Sequence, residues 1–516
     1  MRVVGLWVGA LCCASVARAD TTLTFDVPVP ADPVGTPFVL QPFEVPAGVA
    51  ELTFHPNDQS DANATDFGLY GPDRVLRGWA GSNGGDGVLN ELAASPGYIP
   101  GVITPGTWNV IIGFPFTPEL PGTIHIEVTL RDAPTLAPQA DRGPFVAPAP
   151  LSAAPGWYAG DFHVHSEQSG DARPSLDEVA DYVVASGLDF VELSEHNTTA
   201  HLSLLSAVQR RHPTALLVPG IEWTSYRGHA IAIGVTEPVP FTLGIDGLVA
   251  QQAVDAIHDQ GGLFSPAHPT LDIGSSCMGC AWEHPVDVMS FDGLEVSSGS
   301  VDKLGAVLLV NALAMWDAQC DAGAHVAALG GSDDHTGGTA TGAVGSRIGE
   351  PTTMVFAEEL SVDGIVEGVR QNRTVVKLGG MSDPMVELDA QGREGDTIYA
   401  DRATVTARVT GGAGAQLLVV RDGLESEVAD IPSDDWTWTG TVDAPATGQA
   451  RVRVHVLRDG VVRTITSHLW VEAPVERADD GGCGCSVETT ASSASWVALA
   501  AWAATRRRRQ WKVRPV

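Results

Sequence analysis

Basic and aromatic side chains are scarce in this chain. Lys and Arg number 30 against 63 Asp and Glu, which gives a formal net charge of −33 at pH 7, and aromatic residues make up 6% of the 516 residues. This charge argues against a broad basic surface for nucleic acid and suits a soluble exported protein. Few aromatics beside 57 Gly and 34 Pro indicate a chain rich in strands and loops. The length is sufficient for several cores, so we expect three domains.

The sequence also lacks an apolar run of the ~20 residues that comfortably span a membrane. Residues 3–16 are apolar, but they follow the short positive start Met1-Arg2 and precede the small-x-small triplet Ala17-Arg-Ala19. These features predict a signal peptide over residues 1–19, which is removed so that the mature chain starts near Asp20.

A second processing signal is expected at the other end of the chain. An acidic, Gly-rich stretch ending in Cys483-Gly-Cys485 precedes a short apolar segment at 495–505 and four arginines at 506–509. This order resembles the MYXO-CTERM sorting tag, which implies attachment at the cell surface or outer membrane. The alternative is a disordered tail whose arginines are solvated or bind anionic lipid. We expect residues 474–516 to be a linker and sorting segment of a surface-attached or extracellular protein.

Cysteine is rare, with seven residues in the chain. No second pair accompanies Cys277-Met-Gly-Cys280 at the spacing of a zinc site. In an exported protein such a pair is expected to form a disulfide that staples the loop, and a redox site is the weaker alternative. Cys320 is either the disulfide partner of one of these two cysteines or a free thiol.

Potential metal ligands, in contrast, are concentrated in one stretch of the chain. They are His163, His165, Asp171, His196, Glu222, His229, His268, Asp333 and His335. Several follow short apolar runs, such as residues 188–193 and 325–329, and helical patterns at 248–260 and 307–322 lie between them and end at glycines. Strands that alternate with helices predict a parallel, closed sheet, whose carboxyl ends bring the ligands to one face.

This ligand set contains imidazole and carboxylate but no thiol, which suits Zn, Mn or Fe. A carboxylate such as Glu222 can bridge two cations, which can hold a hydroxide and a substrate oxygen together. The alternative is a series of unrelated core or surface histidines. That alternative is disfavoured because buried His, Asp and Glu cost free energy without partners.

The order of these residues resembles the polymerase-and-histidinol-phosphatase (PHP) family over roughly residues 156–378. The flanking segments Gly160-Asp-Phe-His163, Leu193-Ser-Glu-His-Asn197 and Gly330-Gly-Ser-Asp-Asp-His335 look like its CehA/McbA branch, which is named for carbamate hydrolysis and includes predicted phosphoesterases. The resemblance implies a distorted seven-stranded β/α barrel, two or three divalent metal ions, and hydrolysis of phosphoesters.

The resemblance also implies three metal sites. The first would be held by His163, His165, Glu222 and Asp333, the second by Glu222, His229 and His268, and the third by Asp171, His196 and His335. The chain departs from the family pattern at Asp171, which Gly170 precedes, and at Glu195, where the family has Asp. Asp334 is an alternative to Asp333, although the Asp-x-His spacing favours Asp333.

The implied reaction needs no protein nucleophile, because a metal-activated water would attack phosphorus or a carbonyl carbon. His196 or His335, where not fully engaged by metal, would protonate the leaving group, and Asp333 completes the expected catalytic set. Arg227 would either reach a substrate anion or remain a solvated surface residue, and Glu295 would line the pocket.

Alternating apolar and polar segments flank the expected metal-binding barrel at 156–380. Residues 20–132 predict a jelly-roll-like β-sandwich, 133–155 a Pro/Ala linker and 381–473 an Ig-like β-sandwich. Trp79 and Trp108 would either pack in a core or form a platform for stacking carbohydrate.

The sequence therefore predicts an exported, metal-dependent hydrolase of the PHP type that cleaves phosphoester bonds of a small substrate. The first alternative is a carbamate, ester or amide hydrolase that uses the same multinuclear metal centre. The second is a non-catalytic surface protein whose two sandwiches bind glycans or partners. Nucleic acid is not expected as a main partner in any of these cases.

Overall fold

The computed structural model describes residues 20–474 apart from 59–62, 82–85, 275–276, 304, 342–344, 391–394 and 396. The expected signal peptide at 1–19 and the expected sorting segment from residue 475 onward lie outside the described residues. In the described part of the chain, no helix is both long and apolar enough to cross a membrane. The architecture is mixed α/β and rich in sheet.

Eight strands form a sandwich at the start of the described chain. They are β1 (Thr21–Pro28), β2 (Phe38–Val45), β3 (Glu51–Asp58), β4 (Ala64–Tyr70), β5 (Leu76–Ala80), β6 (Gly87–Asn90), β7 (Gly106–Phe116) and β8 (Thr123–Arg131). The two sheets have the orders β1-β8-β3-β6 and β2-β7-β4-β5 with antiparallel pairs, as in a jelly roll. Strand β8 shows why this segment forms a sandwich. Its alternate residues from Ile124 to Leu130 are apolar and buried, while their neighbours face outward.

Trp79 and Trp108 are both buried in this sandwich. The indole Nε1 of Trp108 donates to the Thr104 carbonyl, which satisfies its only polar atom inside the core. Trp79 packs edge-on against Phe241 of the following region, with ring centroids 4.7 Å apart. The two rings therefore form no exposed platform for carbohydrate.

In the described residues between 156 and 377, nine strands and five helices follow. The strands are β9 (Gly156–Val164), β10 (Phe190–Leu193), β11 (Leu216–Ser225), β12 (Gly228–Ile233), β13 (Leu263–Ala267), β14 (Gly293–Ser298), β15 (Ala327–Gly331), β16 (Thr352–Ala357) and β17 (Thr374–Lys377). The helices are α1 (Leu176–Ser186), α2 (Leu202–Arg211), α3 (Ala250–Asp259), α4 (Gly305–Asp321) and α5 (Val362–Arg370).

Local sequence accounts for the helix ends. Ser175 and Glu178 form a capping box at the start of α1, and Gly187 ends that helix with φ 73°. The helices expected at 248–260 and 307–322 are confirmed as α3 and α4, with boundaries shifted by one or two residues.

The prediction that the strands of this sheet are parallel is wrong for part of it. Strands β9, β10 and β11 are parallel, but β12 returns antiparallel through a tight hairpin at Tyr226-Arg227, with no helical crossover, and β16 is antiparallel to β9. Strands β14 and β15 form a separate parallel pair. Backbone hydrogen bonds from Asp292 to Phe264 and from Asp333 to His163 connect that pair to β13 and β9.

The last nine strands form the second sandwich. They are β18 (Met385–Asp389), β19 (Thr397–Tyr399), β20 (Arg402–Thr410), β21 (Gln416–Arg421), β22 (Leu424–Asp430), β23 (Asp435–Asp443), β24 (Gln449–Arg458), β25 (Val461–Thr466) and β26 (Leu469–Glu472). Strands β18, β20 and β23 form one sheet. Strand β25 pairs with β17, so that a thirteen-stranded sheet runs from the middle region into this sandwich. The sandwich is therefore continuous in hydrogen bonding with the middle region.

A buried ion network adds a second connection between these two regions. Asp317 of α4 accepts two hydrogen bonds from the Arg453 guanidinium of β24, at 2.6 and 2.9 Å, and a third from Arg451 at 3.3 Å. Both arginines are buried, and Arg453 also stacks over the Trp316 ring. Burial opposes ionisation of Asp317, but the hydrogen bonds from Arg453 outweigh it and hold its pKa below the usual value.

We predict that Asp317→Ala lowers the free energy of unfolding by about 3–5 kcal/mol, because it removes the carboxylate that both buried guanidinium groups contact, although Arg451 keeps its ion pair with Asp321. Asp321→Ala is the matched control, since Asp321 contacts Arg451 from an exposed position and should cost within about 1 kcal/mol. Urea denaturation followed by tryptophan fluorescence measures both. Equal losses for the two variants would contradict the assignment.

Of the three cysteines in the middle region, two are oxidised to a disulfide and one is reduced. Cys277 and Cys280 form a disulfide, as expected, and Cys320 is a buried free thiol on α4. Burial raises the pKa of Cys320 to about 12, so the reactive thiolate is not populated at neutral pH.

Iodoacetamide at pH 8 should therefore modify none of these three cysteines in the native protein. After denaturation without reductant, Cys320 alone among the three should be labelled. Peptide mass spectrometry distinguishes the three sites, and labelling of Cys277 in the native protein would show that the disulfide is absent.

Candidate metal centre

The nine expected ligands converge at one face of the middle region. His163 lies in β9, and His165 lies just beyond it. The carboxyl ends of β9, β10 and β11 lie at the same edge because these strands are parallel. A bridge between His196 and Glu222 continues the pairing beyond the end of β10. The β11–β12 hairpin then places His229 beside Glu222, and His268 follows β13.

The first group of donors surrounds a single point. The Nε2 atoms of His163 and His165 are 3.1 Å apart, and Asp333 Oδ1 lies 3.2 and 3.3 Å from them. Glu222 contributes Oε1 at 3.5 Å from His163 and Oε2 at 3.7 Å from His165. These are the four residues expected for the first metal.

The outer nitrogens of the two histidines establish which atoms face inward. His163 Nδ1 lies 2.7 Å from the Glu295 carboxylate, and His165 Nδ1 lies 2.8 Å from Ser169 Oγ. Ser169 donates its own proton to Glu195, so its oxygen accepts from His165. When both imidazoles are neutral, each therefore carries its proton on Nδ1, and two Nε2 lone pairs face each other. Such an arrangement is repulsive without a cation between the nitrogens, so these residues fit a metal ion.

The second group is built around the other side of Glu222. Its Oε1 lies 3.0 Å from His229 Nδ1 and 3.1 Å from His268 Nε2. Among the described residues, the buried atoms His229 Nε2 and Glu222 Oε2 have no hydrogen-bond partner. Oε2 does lie 2.7 Å from His196 Nδ1, but without the alignment of a hydrogen bond. Burial opposes ionisation of Glu222, yet the surrounding histidines hold its pKa well below the usual value.

The third group faces the solvent. Asp171 Oδ2 lies 3.2 Å from His196 Nε2 and 3.4 Å from His335 Nε2, and all three side chains are partly exposed. Asp171, the ligand at which the chain departs from the family pattern, is thus beside its two expected partners. Glu222 belongs to the first and second groups and also contacts His196 of the third group. The three groups are therefore adjacent, and two or three cations fit within one cluster.

Two ligand positions carry unusual backbone. Asp333 has φ 54° and His268 has φ 31°, in the left-handed region that side chains other than glycine seldom adopt. Strain of this kind persists at sites where function demands it. Asp334 instead accepts hydrogen bonds from the backbone of Thr336 and Gly338, so it shapes the loop and points away from the cluster.

Glu295 does not line the pocket, contrary to expectation. Its side chain is buried behind the cluster. Oε1 accepts a hydrogen bond from His163 Nδ1, and Oε2 accepts hydrogen bonds from the His268 backbone and the Ser298 hydroxyl, each at 2.7 Å. It fixes the orientation of one ligand and the backbone of another. The Leu-Glu-Val pattern indicated a strand end but could not indicate which way the side chain points.

Asp161 is buried beneath the cluster and binds the backbone that carries two of its ligands. It accepts backbone hydrogen bonds from His163, Ser332 and Gly349 at 2.7–3.1 Å. Burial raises its pKa to about 6 despite these bonds. Arg227, considered as a substrate contact, is largely exposed beside Glu283 and lies outside the cavity at the cluster.

A cavity of about 300 Å³ opens on the cluster, and three parts of the chain build its walls. The ligands form the floor. Thr224 and Tyr226 of the hairpin and the disulfide loop at Met278 form one side, and the N-terminal sandwich forms the other through Asp66, Trp79, Gly81 and Pro115. No local sequence pattern marks the sandwich residues as part of this cavity, because they are distant from the ligands along the chain.

No protein-family model and no curated protein match the chain. Among solved structures, a two-domain protein from Bacteroides vulgatus containing a predicted PHP-like metal-dependent phosphoesterase is 18% identical, over 65% of this chain and 100% of its own, with a TM-score of 0.36. A protein from Bifidobacterium adolescentis, named as a metal-dependent phosphoesterase, is 16% identical over 36% of this chain and 91% of its own, with a TM-score of 0.26.

A third solved structure is the CARDB domain of a Pyrococcus furiosus protein. It is 15% identical over 18% of this chain and 98% of its own, with a TM-score of 0.14. Because all three TM-scores and identities are low, these likenesses assign neither an activity nor a family to this chain. The case for a metal centre rests on the donor geometry.

We predict that Glu295→Gln weakens binding of Zn²⁺ or Mn²⁺ by about 10–100-fold, because the neutral amide no longer polarises His163. Glu192→Gln is the matched control. Glu192 is equally buried, has no hydrogen bond among the described residues, and has its pKa raised well above the usual value by burial, and Gln is its isosteric replacement. Competition against a chromophoric chelator measures affinity. Equal affinity in wild type and Glu295→Gln would contradict the role of Glu295.

Proposed function

We propose that this protein is an exported metal-dependent hydrolase of the PHP type, which cleaves the phosphoester bond of a small substrate. The observation that carries the proposal is the inward-facing donor set around Glu222, with bare imidazole nitrogens 3.1 Å apart and orphaned buried donor atoms. A purely structural histidine cluster would satisfy its buried polar atoms, whereas His229 Nε2 and Glu222 Oε2 have no hydrogen-bond partner among the described residues.

We further propose that strands β9 to β15 make the distorted seven-stranded barrel of this type. The parallel bridge between Val164 and Asp334 and the hydrogen bond from Asp292 to Phe264 support this, because they join the β14–β15 pair to its neighbours on both sides. The export and surface attachment in this proposal rest on the sequence signals at 1–19 and 474–516.

Bound cations would supply a hydroxide at neutral pH and neutralise the charge that develops on the reacting phosphoryl group. The first donor group, which includes Glu222, would hold a cation on the buried side of the cluster. Burial of this side keeps bulk water away from that cation. His196 and His335 lie on the open side, where a leaving group departs, and either one delivers a proton to the leaving-group oxygen. The backbone carbonyl of Asp333 lies 3.0 Å from His335 Nδ1 and so orients the His335 ring for this proton transfer.

The size of the cavity supports a small substrate, since about 300 Å³ is at the lower end of ligand pockets. A carbamate, ester or amide hydrolase is the second candidate. It is favoured by one observation: none of the described residues that line the cavity is Lys or Arg, and a neutral carbonyl substrate needs no such residue.

We predict that the metal-loaded protein hydrolyses p-nitrophenyl phosphate and that His163→Ala and Asp333→Ala each lower kcat/KM about a hundredfold or more, since loss of a ligand exceeds the effect of losing an outer partner. His258→Ala, at a half-exposed histidine on α3, is the control and should keep full activity.

The same proteins are assayed in parallel with p-nitrophenyl acetate. Faster, metal-dependent turnover of the ester would favour the second candidate. Full activity of both ligand variants on either substrate would exclude hydrolysis at this centre.

A further inference from the structure

The disulfide between Cys277 and Cys280 lies against the second group of donors. Cys280 is buried, and its carbonyl oxygen lies 3.3 Å from Nδ1 of His268. The sulfur of Cys280 and one ring nitrogen of each of His229 and His268 all lie within 4.8 Å of one another. This sulfur is therefore beside two histidines of the second group, although in the disulfide it is bonded to Cys277.

The spacing of these three donors is close to the spacing that one metal ion requires. With bonds of about 2.0 Å to nitrogen and about 2.3 Å to sulfur, the ligand atoms of a tetrahedral Zn²⁺ site lie roughly 3.5 Å apart. A shift of about 1 Å, which a small rotation of the Cys280 side chain supplies, closes the difference. The buried Nε2 atom of His229 has no hydrogen-bond partner among the described residues, so a shared cation would satisfy it.

Contacts other than the disulfide hold the backbone of this loop. Gly279 lies directly against the backbone of Tyr226, where there is no room for a Cβ. Two residues beyond Cys280, the Trp282 amide donates a hydrogen bond to the Pro269 carbonyl at 2.9 Å. We therefore expect that reduction of the disulfide frees the sulfur of Cys280 while the backbone around it stays in place.

The two cysteines differ in their access to solvent. Cys277 is half-buried and lines the cavity at the metal cluster, whereas Cys280 is 1% exposed. A thiol reductant that enters this cavity reaches the sulfur of Cys277 first, which makes Cys280 the leaving thiolate. The thiolate is thus released next to His229 and His268, and a cation held there would stabilise it.

A thiolate at this position would change the kind of metal site. Glu222, His229 and His268 give the second group three protein ligands. A site with three protein ligands keeps one position for water or substrate, whereas four protein ligands make a closed, structural site. Addition of the Cys280 sulfur would therefore fill the open position with a soft donor that Zn²⁺ binds well.

Resting on the metal centre of the proposed function, we propose that Cys280 is a redox-controlled fourth ligand of the second group. A dithiol reductant attacks Cys277, forms a mixed disulfide with it and releases the Cys280 thiolate. The second thiol of the reductant then displaces Cys277, so the reductant leaves as a disulfide after giving up two electrons and two protons. One proton ends on Cys277, and the other is released because Cys280 binds the metal as a thiolate. The disulfide keeps the second group open, and its reduction closes it.

Co²⁺ is the probe for this ligand, since a thiolate bound to Co²⁺ gives a near-ultraviolet charge-transfer band that imidazole and carboxylate do not give. The full protein is reduced, separated from the reductant and loaded with Co²⁺ in the absence of oxygen. Reduced wild type and Cys277→Ser, in which Cys280 has no disulfide partner, should show the band. Oxidised wild type should lack it.

Cys280→Ser is the matched control, because it loses the same disulfide and retains every other cysteine of the chain. After the same reduction it gives the background from those cysteines, and the bands of wild type and Cys277→Ser should exceed it. Competition against a chromophoric chelator should show that reduction of wild type tightens one Zn²⁺ dissociation constant by about tenfold or more, and that Cys280→Ser shows no such change.

Reduced wild type and Cys277→Ser that bind Co²⁺ with no band above that of Cys280→Ser would overturn this inference and leave the metal centre standing. Because reduced wild type has the natural sequence, this outcome does not depend on the folding of a variant. Failure of every form to bind metal would overturn the proposed function and this inference together. Metal binding with the expected band, but without hydrolysis of p-nitrophenyl phosphate, would overturn the proposed function alone.

Discussion

The buried carboxylate of Glu222 is the group on which the rest of the site depends. It lies within hydrogen-bond or ion-pair distance of five imidazoles, at 2.7–3.7 Å from His163, His165, His196, His229 and His268. An ionised carboxylate at zero exposure costs several kcal/mol unless positive charge surrounds it. Without cations, the histidines supply that charge only by binding additional protons. Divalent cations supply it at the inward lone pairs, and they also relieve the repulsion between the facing nitrogens.

The surrounding fold holds these donors in place before any cation binds. Glu295 and Ser169 assign the tautomers of the first two histidines, and Asp161 ties their strand to two loops. The left-handed backbone at His268 and Asp333 is held against its intrinsic cost by these bonds and by the strands on either side. Preorganisation of this kind lowers the free energy that metal binding must supply.

The two sandwiches relate to the centre in different ways. The C-terminal sandwich shares a sheet with the middle region and is tied to it by Asp317, so it supports the fold at a distance from the ligands. The N-terminal sandwich instead contributes side chains to the cavity itself. A pocket built from two regions is a common location for small-molecule sites, and here Asp66 and the ligands line the same cavity.

Sequence alone predicted the helices that end at glycines and the strand ends that carry ligands, because these features leave local patterns of apolar period and capping. The family resemblance implied that Asp333 and Asp171 lie beside their histidine partners, and the Cys-x-x-Cys spacing favoured a disulfide at Cys277 and Cys280 while leaving Cys320 open as a partner. Sequence alone failed on the direction of β12 and β16, since strand direction depends on whether the chain turns back or crosses over. The burial of Glu295 and the contact of Asp66 with Tyr226 leave no local signal, because they join residues 132 and 160 positions apart.

Binding of divalent metal by the donors around Glu222 can be measured by elemental analysis of the purified protein after incubation with Zn²⁺, Mn²⁺ or Fe²⁺ and removal of unbound ions. We expect two or three metal ions per chain, with a clear loss in His163→Ala and in Asp333→Ala. A correctly folded wild-type protein that retains no metal would contradict this expectation.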